Sequence, residues 1–62
     1  MQIIAIYIFR NSKAADSALE QLWRHFDRGM ERSGGNELWL NSNCANPHLA
    51  SQICEGLGGI AK

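Results

Sequence analysis

The sequence has few of the residues that staple a small protein or bind it to a metal or a membrane. It contains two cysteines, one proline and two histidines in 62 residues, too few cysteines for the disulfide framework of a small secreted domain. No apolar run approaches the roughly 18 residues that a membrane helix needs. No basic segment or small-residue cleavage site marks a signal peptide. We therefore expect a cytoplasmic protein with no membrane partner.

Net charge is also lacking, because six Lys and Arg balance six Asp and Glu. A neutral chain has no overall field to attract nucleic acid, and little repulsion opposes its self-association. The hydrophobic share of 45% and charged share of 19% are typical of a globular chain and not of a disordered one. The length predicts one domain, residues 1–62, close to the lower size limit for folding alone.

The most informative segment that is present is an apolar run at Gln2–Phe9. It has no charge, Gly or Pro, and its β-branched and aromatic residues predict a buried β-strand. Alternation along a strand divides the side chains into two faces. The first face has Ile4, Ile6 and Ile8, and the second has Ile3, Ala5, Tyr7 and Phe9. Both faces are apolar, so we expect packing on both sides of the sheet.

A long amphipathic helix is expected next. Asn11 or Ser12 can cap its start, and Ser17 with Glu20 offers an alternative start with capping-box spacing. Apolar residues then recur at helical spacing on one stripe, which predicts a helix that continues past Met30. The stripe consists of Ala15, Leu19, Leu22, Trp23, Phe26 and Met30. The Gly pair within 33–36 ends the predicted helix.

A short strand and a second helix complete the pattern. Glu37–Leu40 is the second predicted strand, with Leu38 and Leu40 on one face and Trp39 on the other. Asn46 followed by Pro47 is a strong helix start, and this helix is expected to run to about Leu57. Residues 60–62 are expected to be a frayed tail.

The order β-α-β-α predicts a small α+β, or α/β-like, domain with a short sheet and two packed helices. A helix between two strands suggests a parallel pair with a right-handed crossover. Because two strands rarely form a stable sheet, we expect a homodimer that completes the sheet, either edge to edge through the first strand or face to face. The predicted dimer interface consists of Ile4, Ile6, Ile8, Tyr7 and Phe9. The alternative is a monomer with its helices on opposite faces.

No residue pattern predicts catalysis, a metal site or a cofactor. Cys44, His48, Cys54 and His25 are suitable zinc ligands by type, but they lack the paired spacing of zinc sites. The two Gly-rich runs follow helices and do not have the position of phosphate-binding loops. We therefore expect a non-enzymatic protein with no cofactor, in which Cys54 is a core residue, Cys44 lies in a loop and His48 faces solvent.

Arg24, Arg28 and Arg32 repeat every four residues and would form a basic ridge on the first predicted helix. A solvated helix face explains mixed charges of this kind most simply. The functional interpretation is a contact surface for carboxylates or phosphates on a partner, which the planar guanidinium binds in bidentate fashion. Nucleic acid is the less favoured partner, because carboxylates lie beside the ridge on a neutral chain.

Trp39 is the remaining candidate contact residue. It is expected either under the second helix or on an open sheet face, where Tyr7 and Phe9 could join it in an aromatic patch. The sequence as a whole predicts a small regulatory or adaptor protein, of the inhibitor or anti-repressor type, that binds another protein as a homodimer. Arg24, Arg28, Arg32 and Trp39 are its predicted partner-binding residues, and nucleic-acid binding through the ridge is the alternative.

Overall fold

The computed structural model describes residues 2–62, which form four strands and two helices. The strands are β1 (Ile3–Ile8), β2 (Met30–Ser33), β3 (Glu37–Asn41) and β4 (Ile60–Ala61). The helices are α1 (Ser12–Trp23) and α2 (Pro47–Gly56). The chain is therefore an α+β domain with the order β-α-β-β-α-β, two strands more than the sequence predicted.

The four strands form one antiparallel sheet in the order β2-β3-β1-β4. Both helices pack against the same face, because α1 contacts α2, β2 and β3, and α2 contacts β4. This is the split β-α-β arrangement, known as the ferredoxin-like topology. The prediction of an α+β domain with two packed helices is confirmed. The alternative of helices on opposite faces is wrong.

The predicted parallel pairing of the two recognised strands is wrong. β1 and β3 pair antiparallel, with Ile6 opposite Trp39 and Tyr7 opposite Leu38. The missing element is β2, since one extra strand before β3 reverses the direction of β3. β1 and β2 do run in the same direction, but β3 lies between them.

The first helix is shorter than predicted. Asn11 caps it, with the side-chain Oδ1 accepting from Ala14 N at 2.8 Å, but it ends at Trp23. Gly29 then lies in the left-handed region with φ of 96°, directly against the Cys44 backbone. Phe26 and Met30 continue the helical spacing of apolar residues because both also pack against the core, Phe26 from a loop and Met30 from β2. Periodicity alone therefore extended the helix into a strand.

Of the two missed strands, β2 left the clearer signal in the sequence. β2 and β3 are joined by 34–36, and two short runs separated by three residues that include Gly are typical of a β-hairpin. β4 lies where a frayed tail was expected. It pairs Ile60 with Ile8 and Ala61 with Tyr7, and Lys62 N continues the ladder by donating to Ile6 O at 2.8 Å.

α2 agrees with the prediction. Asn46 caps it by accepting from Leu49 N at 3.1 Å, and Pro47 occupies the first helical turn. Pro lacks an N–H, which has no intrahelical partner at this position in any case. Tyr7 donates to Glu55 Oε2 at 3.1 Å and so joins α2 to β1.

The core lies between the helices and one face of the sheet. Its buried residues are Tyr7, Phe9, Ala15, Ala18, Leu22, Leu38, Leu40, Cys44, Ala50 and Cys54. Small Ala side chains on the inner faces of both helices allow a close approach to the sheet. All of the covered sheet residues come from one side of the alternation in β1 and β3.

β1 is an interior strand, which corrects the prediction that it offers an open edge along its length. β3 pairs with it on one side, and β4 pairs with Tyr7 and Ile8 on the other. Dimerisation edge to edge through the whole of Gln2–Phe9 is therefore blocked. The opposite face of the sheet is the surface that the two helices leave uncovered.

Candidate interaction surface

The uncovered side of the sheet, here called the open face, has an apolar centre and a charged border. The apolar side chains are Ile4, Ile6, Ile8, Trp39 and Ile60. The polar ones are Glu31, Ser33, Glu37 and Lys62. All but two are assigned by the strand registers, since directly paired residues point to the same side of a sheet. Ile4 has no paired residue, because the register of β1 shifts between Ile3 and Ala5, and it is placed by alternation from Ile6. Lys62 is placed by the hydrogen bond from its backbone N to Ile6 O. Ile4 is 45% exposed and Ile60 is 72% exposed.

Glu37 receives two polar contacts on the open face. One comes from Trp39 on the same strand and the other from Lys62 at the far edge of the sheet. The Trp39 indole Nε1 donates to Glu37 Oε1 at 3.0 Å, and Lys62 Nζ donates to Glu37 Oε2 at 3.3 Å, where it also forms an ion pair. The indole hydrogen bond, and then the bond and charge of Lys62, lower the pKa of the Glu37 carboxyl below its ordinary value. Lys62 reaches Glu37 across β1, so its stem lies over the sheet.

The registers align four of these residues in one row across the sheet. Glu31 pairs with Trp39, Trp39 pairs with Ile6, and Lys62 N bonds to Ile6 O. The row thus reads acid, aromatic, aliphatic and base, from β2 at one edge to β4 at the other. Because neighbouring strands lie about 4.8 Å apart, the backbones at the two ends of the row are separated by about 14 Å. The Lys62 ammonium itself lies nearer to the centre of the sheet, beside Glu37 on β3.

The structure divides the predicted interface residues between the two faces. Ile4, Ile6 and Ile8 lie on the open face. Tyr7 and Phe9 are 4% and 2% exposed beneath the helices. An aromatic patch that unites them with Trp39 does not form, because Trp39 points to the other side of the sheet.

A shallow pocket of about 240 Å³ lies where β4 ends beside β1. Its lining consists of Ile3, Ile4, Ala5, Ile6 and Lys62. β4 does not extend along this half of β1, since its paired residues stop at Tyr7. The pocket therefore continues the open face around the edge of the sheet.

The three predicted ridge arginines do not lie on one helix. Arg24 caps the C-terminus of α1, Arg28 lies in the following loop, and Arg32 lies in β2. The spacing of four residues has no helical meaning beyond Trp23. The ridge as a continuous helical surface is therefore wrong.

Arg32 binds within the chain. Its Nε donates to Asp16 Oδ1 at 2.7 Å, and its Nη1 and Nη2 donate to the carbonyls of Glu37 and Gly35 at 2.8 and 3.1 Å. Its side chain is 20% exposed. This guanidinium fixes the β2–β3 hairpin to the first turns of α1, so it contributes to the fold.

Arg24 and Arg28 remain at the surface near the end of α1. Arg28 pairs with Asp27 at 3.5 Å, and both side chains are more than two-thirds exposed. Trp23, which was expected in the core stripe, is 60% exposed at the last residue of α1. Trp23 and Ile60 are the exposed large residues that the sequence interpretation missed. The only signal for Ile60 was a β-branched residue after two glycines.

The cysteines and histidines lie mostly where the sequence analysis expected them. Cys54 is buried in α2, and burial above all raises the pKa of its thiol to about 11. Cys44 lies in a loop but is buried as well, 6% exposed. His48 is exposed and its Nε2 lies 3.4 Å from Gln52 Nε2. Within residues 2–62, no group of three or more His, Cys, Asp or Glu is arranged to hold a metal ion.

Across the described chain, neither helix has the length and apolar character that a bilayer span requires.

No family model, curated protein or solved structure matches the chain.

Proposed function

We propose that this chain is a small non-enzymatic regulatory or adaptor protein, of the inhibitor or anti-repressor type, that binds another protein as a homodimer. The observation that carries the proposal is the open face of the sheet. Five apolar side chains lie on it, on the side of the sheet that no helix covers. Contiguous apolar surface of this kind typically marks a contact site in soluble proteins.

A second copy is the occupant that best fits the open face. Glu31 lies at its β2 edge and Lys62 follows β4 at the other edge, so opposite charges can meet when two copies face each other, although Glu37 adds a second acid. It is also small, since the four strands contain 6, 4, 5 and 2 residues and cover about 270 Å² in plan. Since stable interfaces bury about 800 Å² per partner, we expect a dimer that dissociates in the micromolar range or above.

The test is molar mass by light scattering over a dilution series from millimolar to sub-micromolar chain. We expect twice the 6.9 kDa chain mass at high concentration and the monomer mass at low concentration. Ile4→Glu places a charge in the open face and should abolish the dimer, because an interface of this size cannot bury an unpaired carboxylate.

Leu57→Glu is the matched control. Leu57 is 44% exposed and Ile4 45%, so the two substitutions remove similar apolar surface, but Leu57 lies at the end of α2. The control should dimerise as the wild type does. A wild type that remains monomeric at millimolar concentration would refute the dimer, and equal loss in both variants would refute the open face as its site.

The contact with a different protein is assigned to the exposed end of α1. Arg24 and Arg28 can bind carboxylates there, and Trp23 supplies adjacent apolar area, the combination that is common in binding hot spots. In a dimer through the open face, this surface stays outside the interface because α1 lies on the other side of the sheet. Trp39 would then act in the dimer and not in the partner contact.

Immobilised wild-type protein and two variants test this assignment. A protein retained by the wild type and by Glu20→Lys, but not by Arg28→Glu, would support the end of α1 as the contact. Glu20 is an exposed charge on α1, so the control introduces a charge reversal on the helix away from the loop that holds Arg28. Undiminished retention by Arg28→Glu would remove the arginine from the proposal.

Nucleic acid remains the alternative partner, with less support. A four-stranded sheet can bind single-stranded RNA when aromatic side chains stack on its bases. Here the open face has one aromatic residue, and Glu31 and Glu37 lie next to it, where they would repel phosphates. Binding to RNA that weakens steeply with salt would favour the alternative, and no binding at low salt would exclude it.

A further inference from the structure

We propose that two copies pack face to face about a two-fold axis parallel to the strands, with Glu31 of each copy paired with Lys62 of the other. The inference rests on the proposed homodimer and specifies its geometry. It follows from the row that Glu31, Trp39, Ile6 and Lys62 form across the open face.

A two-fold axis parallel to the strands reverses the order of a row. The β2 edge of one copy then lies over the β4 edge of the other, at the same height along the strands. Acid therefore meets base at both ends of the row, and Trp39 meets Ile6 twice at its centre. The row is its own complement under this one operation, as an isologous interface requires.

The twist of the sheets preserves the match. Aligned sheets pack with their strands about 30° apart. The Cα atoms of Glu31 and Lys62 lie about 7 Å from the axis, so this rotation separates those of opposing residues by about 4 Å along the strands. The Lys62 ammonium lies farther inward, beside Glu37. Both side chains are long and exposed, and they can cover that offset.

The other two-fold arrangement fails on charge. An axis in the plane of the sheet but perpendicular to the strands places β2 over β2 and β4 over β4. Glu31 would then oppose Glu31, and Lys62 would oppose Lys62, on both sides of a small interface. Like charges in direct opposition select against this packing.

Lys62 can serve both carboxylates. It already donates to Glu37 Oε2 at 3.3 Å, and its side chain is 57% exposed. An ammonium has three N–H donors, so a second acceptor does not require the first to leave. The intramolecular bond holds Lys62 over the sheet and reduces the entropy lost when the partner arrives.

Charge reversal tests the pairing. In Glu31→Lys homodimers the introduced ammonium faces Lys62 at both ends of the row, and in Lys62→Glu homodimers the introduced carboxylate faces Glu31 at both ends. We expect the dissociation constant measured by sedimentation or light scattering to rise about tenfold or more in each, since two pairs are lost and two repulsions are added. The double variant, and an equimolar mixture of the two single variants, restore opposite charges across the interface and should dimerise again.

Glu20→Lys and Lys13→Glu are matched controls, since both residues are exposed on α1, which lies behind the sheet. They make the same changes in net charge and should leave the dimer unaffected. Raising the salt to about 1 M, where the Debye length is about 3 Å, should weaken the wild-type dimer and strengthen each single variant.

The outcomes separate this geometry from the dimer itself. Rescue in the double variant and in the mixture would support the parallel axis. A dimer that both reversals leave intact would overturn the pairing while the proposed dimer survives. Loss in both single variants without rescue in either combination would also overturn it. A wild type that never dimerises would refute the proposed function's dimer, and the geometry with it.

Discussion

The first strand is apolar on both faces of the sheet, but the two faces differ in environment. On the covered face, Tyr7, Phe9, Leu38 and Leu40 are all at most 4% exposed. On the open face, Ile4 and Ile60 are 45% and 72% exposed. Both helices lie on one side, so the strand Gln2–Phe9 contributes one set of side chains to a core and the other to a surface.

An apolar strand face therefore does not by itself indicate what will cover it. Burial of a Leu or Phe side chain contributes about 1.5–3 kcal/mol, and the covered face gains that within a single chain. The open face can gain it only by association. Stability should therefore depend on the covered face at any concentration, and on the open face only where chains associate.

The largest loss of stability is expected when a side chain on the covered face is truncated. Leu38→Ala leaves a cavity at a fully buried position and should lower the free energy of unfolding by about 2–5 kcal/mol. Ile60→Ala removes a mostly exposed side chain of similar size and should cost less than about 0.5 kcal/mol. Urea denaturation at sub-micromolar concentration, monitored by tryptophan fluorescence, measures both. Similar losses would mean that the two faces are not different in the monomer.

A smaller loss of stability is expected when the Arg32 guanidinium, which joins the β2–β3 hairpin to α1, is removed. Arg32→Ala leaves Asp16 and two carbonyls without their donor, and should cost about 1–3 kcal/mol. Arg28→Ala removes an exposed ion pair and should cost less than about 0.5 kcal/mol. Thermal unfolding of both variants compares them. Equal melting temperatures would show that the contacts of Arg32 contribute nothing to the fold.

The smallest effect on stability is expected from the Glu37 carboxylate on the open face. Hydrogen bonds from Trp39 and Lys62 lower the pKa of Glu37, so its contribution to stability is present above its ordinary value of 4.5. That contribution should be lost as the pH falls through the lowered value. Glu37→Gln should flatten this acid limb of the stability profile, and Glu20→Gln on α1 should not. If stability depended on pH in Glu37→Gln as it does in the wild type, Glu37 would make no contribution to the acid limb.

The sequence alone predicts the elements that are marked by capping residues or by a short-range pattern of apolar side chains. An apolar run of β-branched and aromatic residues identified β1, Asn11 or Ser12 marked the start of α1, and Asn46 with Pro47 identified α2, because caps and short apolar runs act within a few residues. Leu38 and Leu40 on one face of β3, with Trp39 on the other, also follow from that period. The chain's α+β character was therefore readable without coordinates.

Only the tertiary structure decided the strand order, the end of α1 and which sheet face is covered. Met30 continues the helical spacing of α1 but pairs with Leu40, since a place in the sheet satisfies its backbone and buries its side chain together. The residues of β4 pair with β1 through a register that no local pattern contains. The row from Glu31 to Lys62 joins the β2–β3 hairpin to the two ends of the chain, and only the hydrogen-bonded registers bring it together.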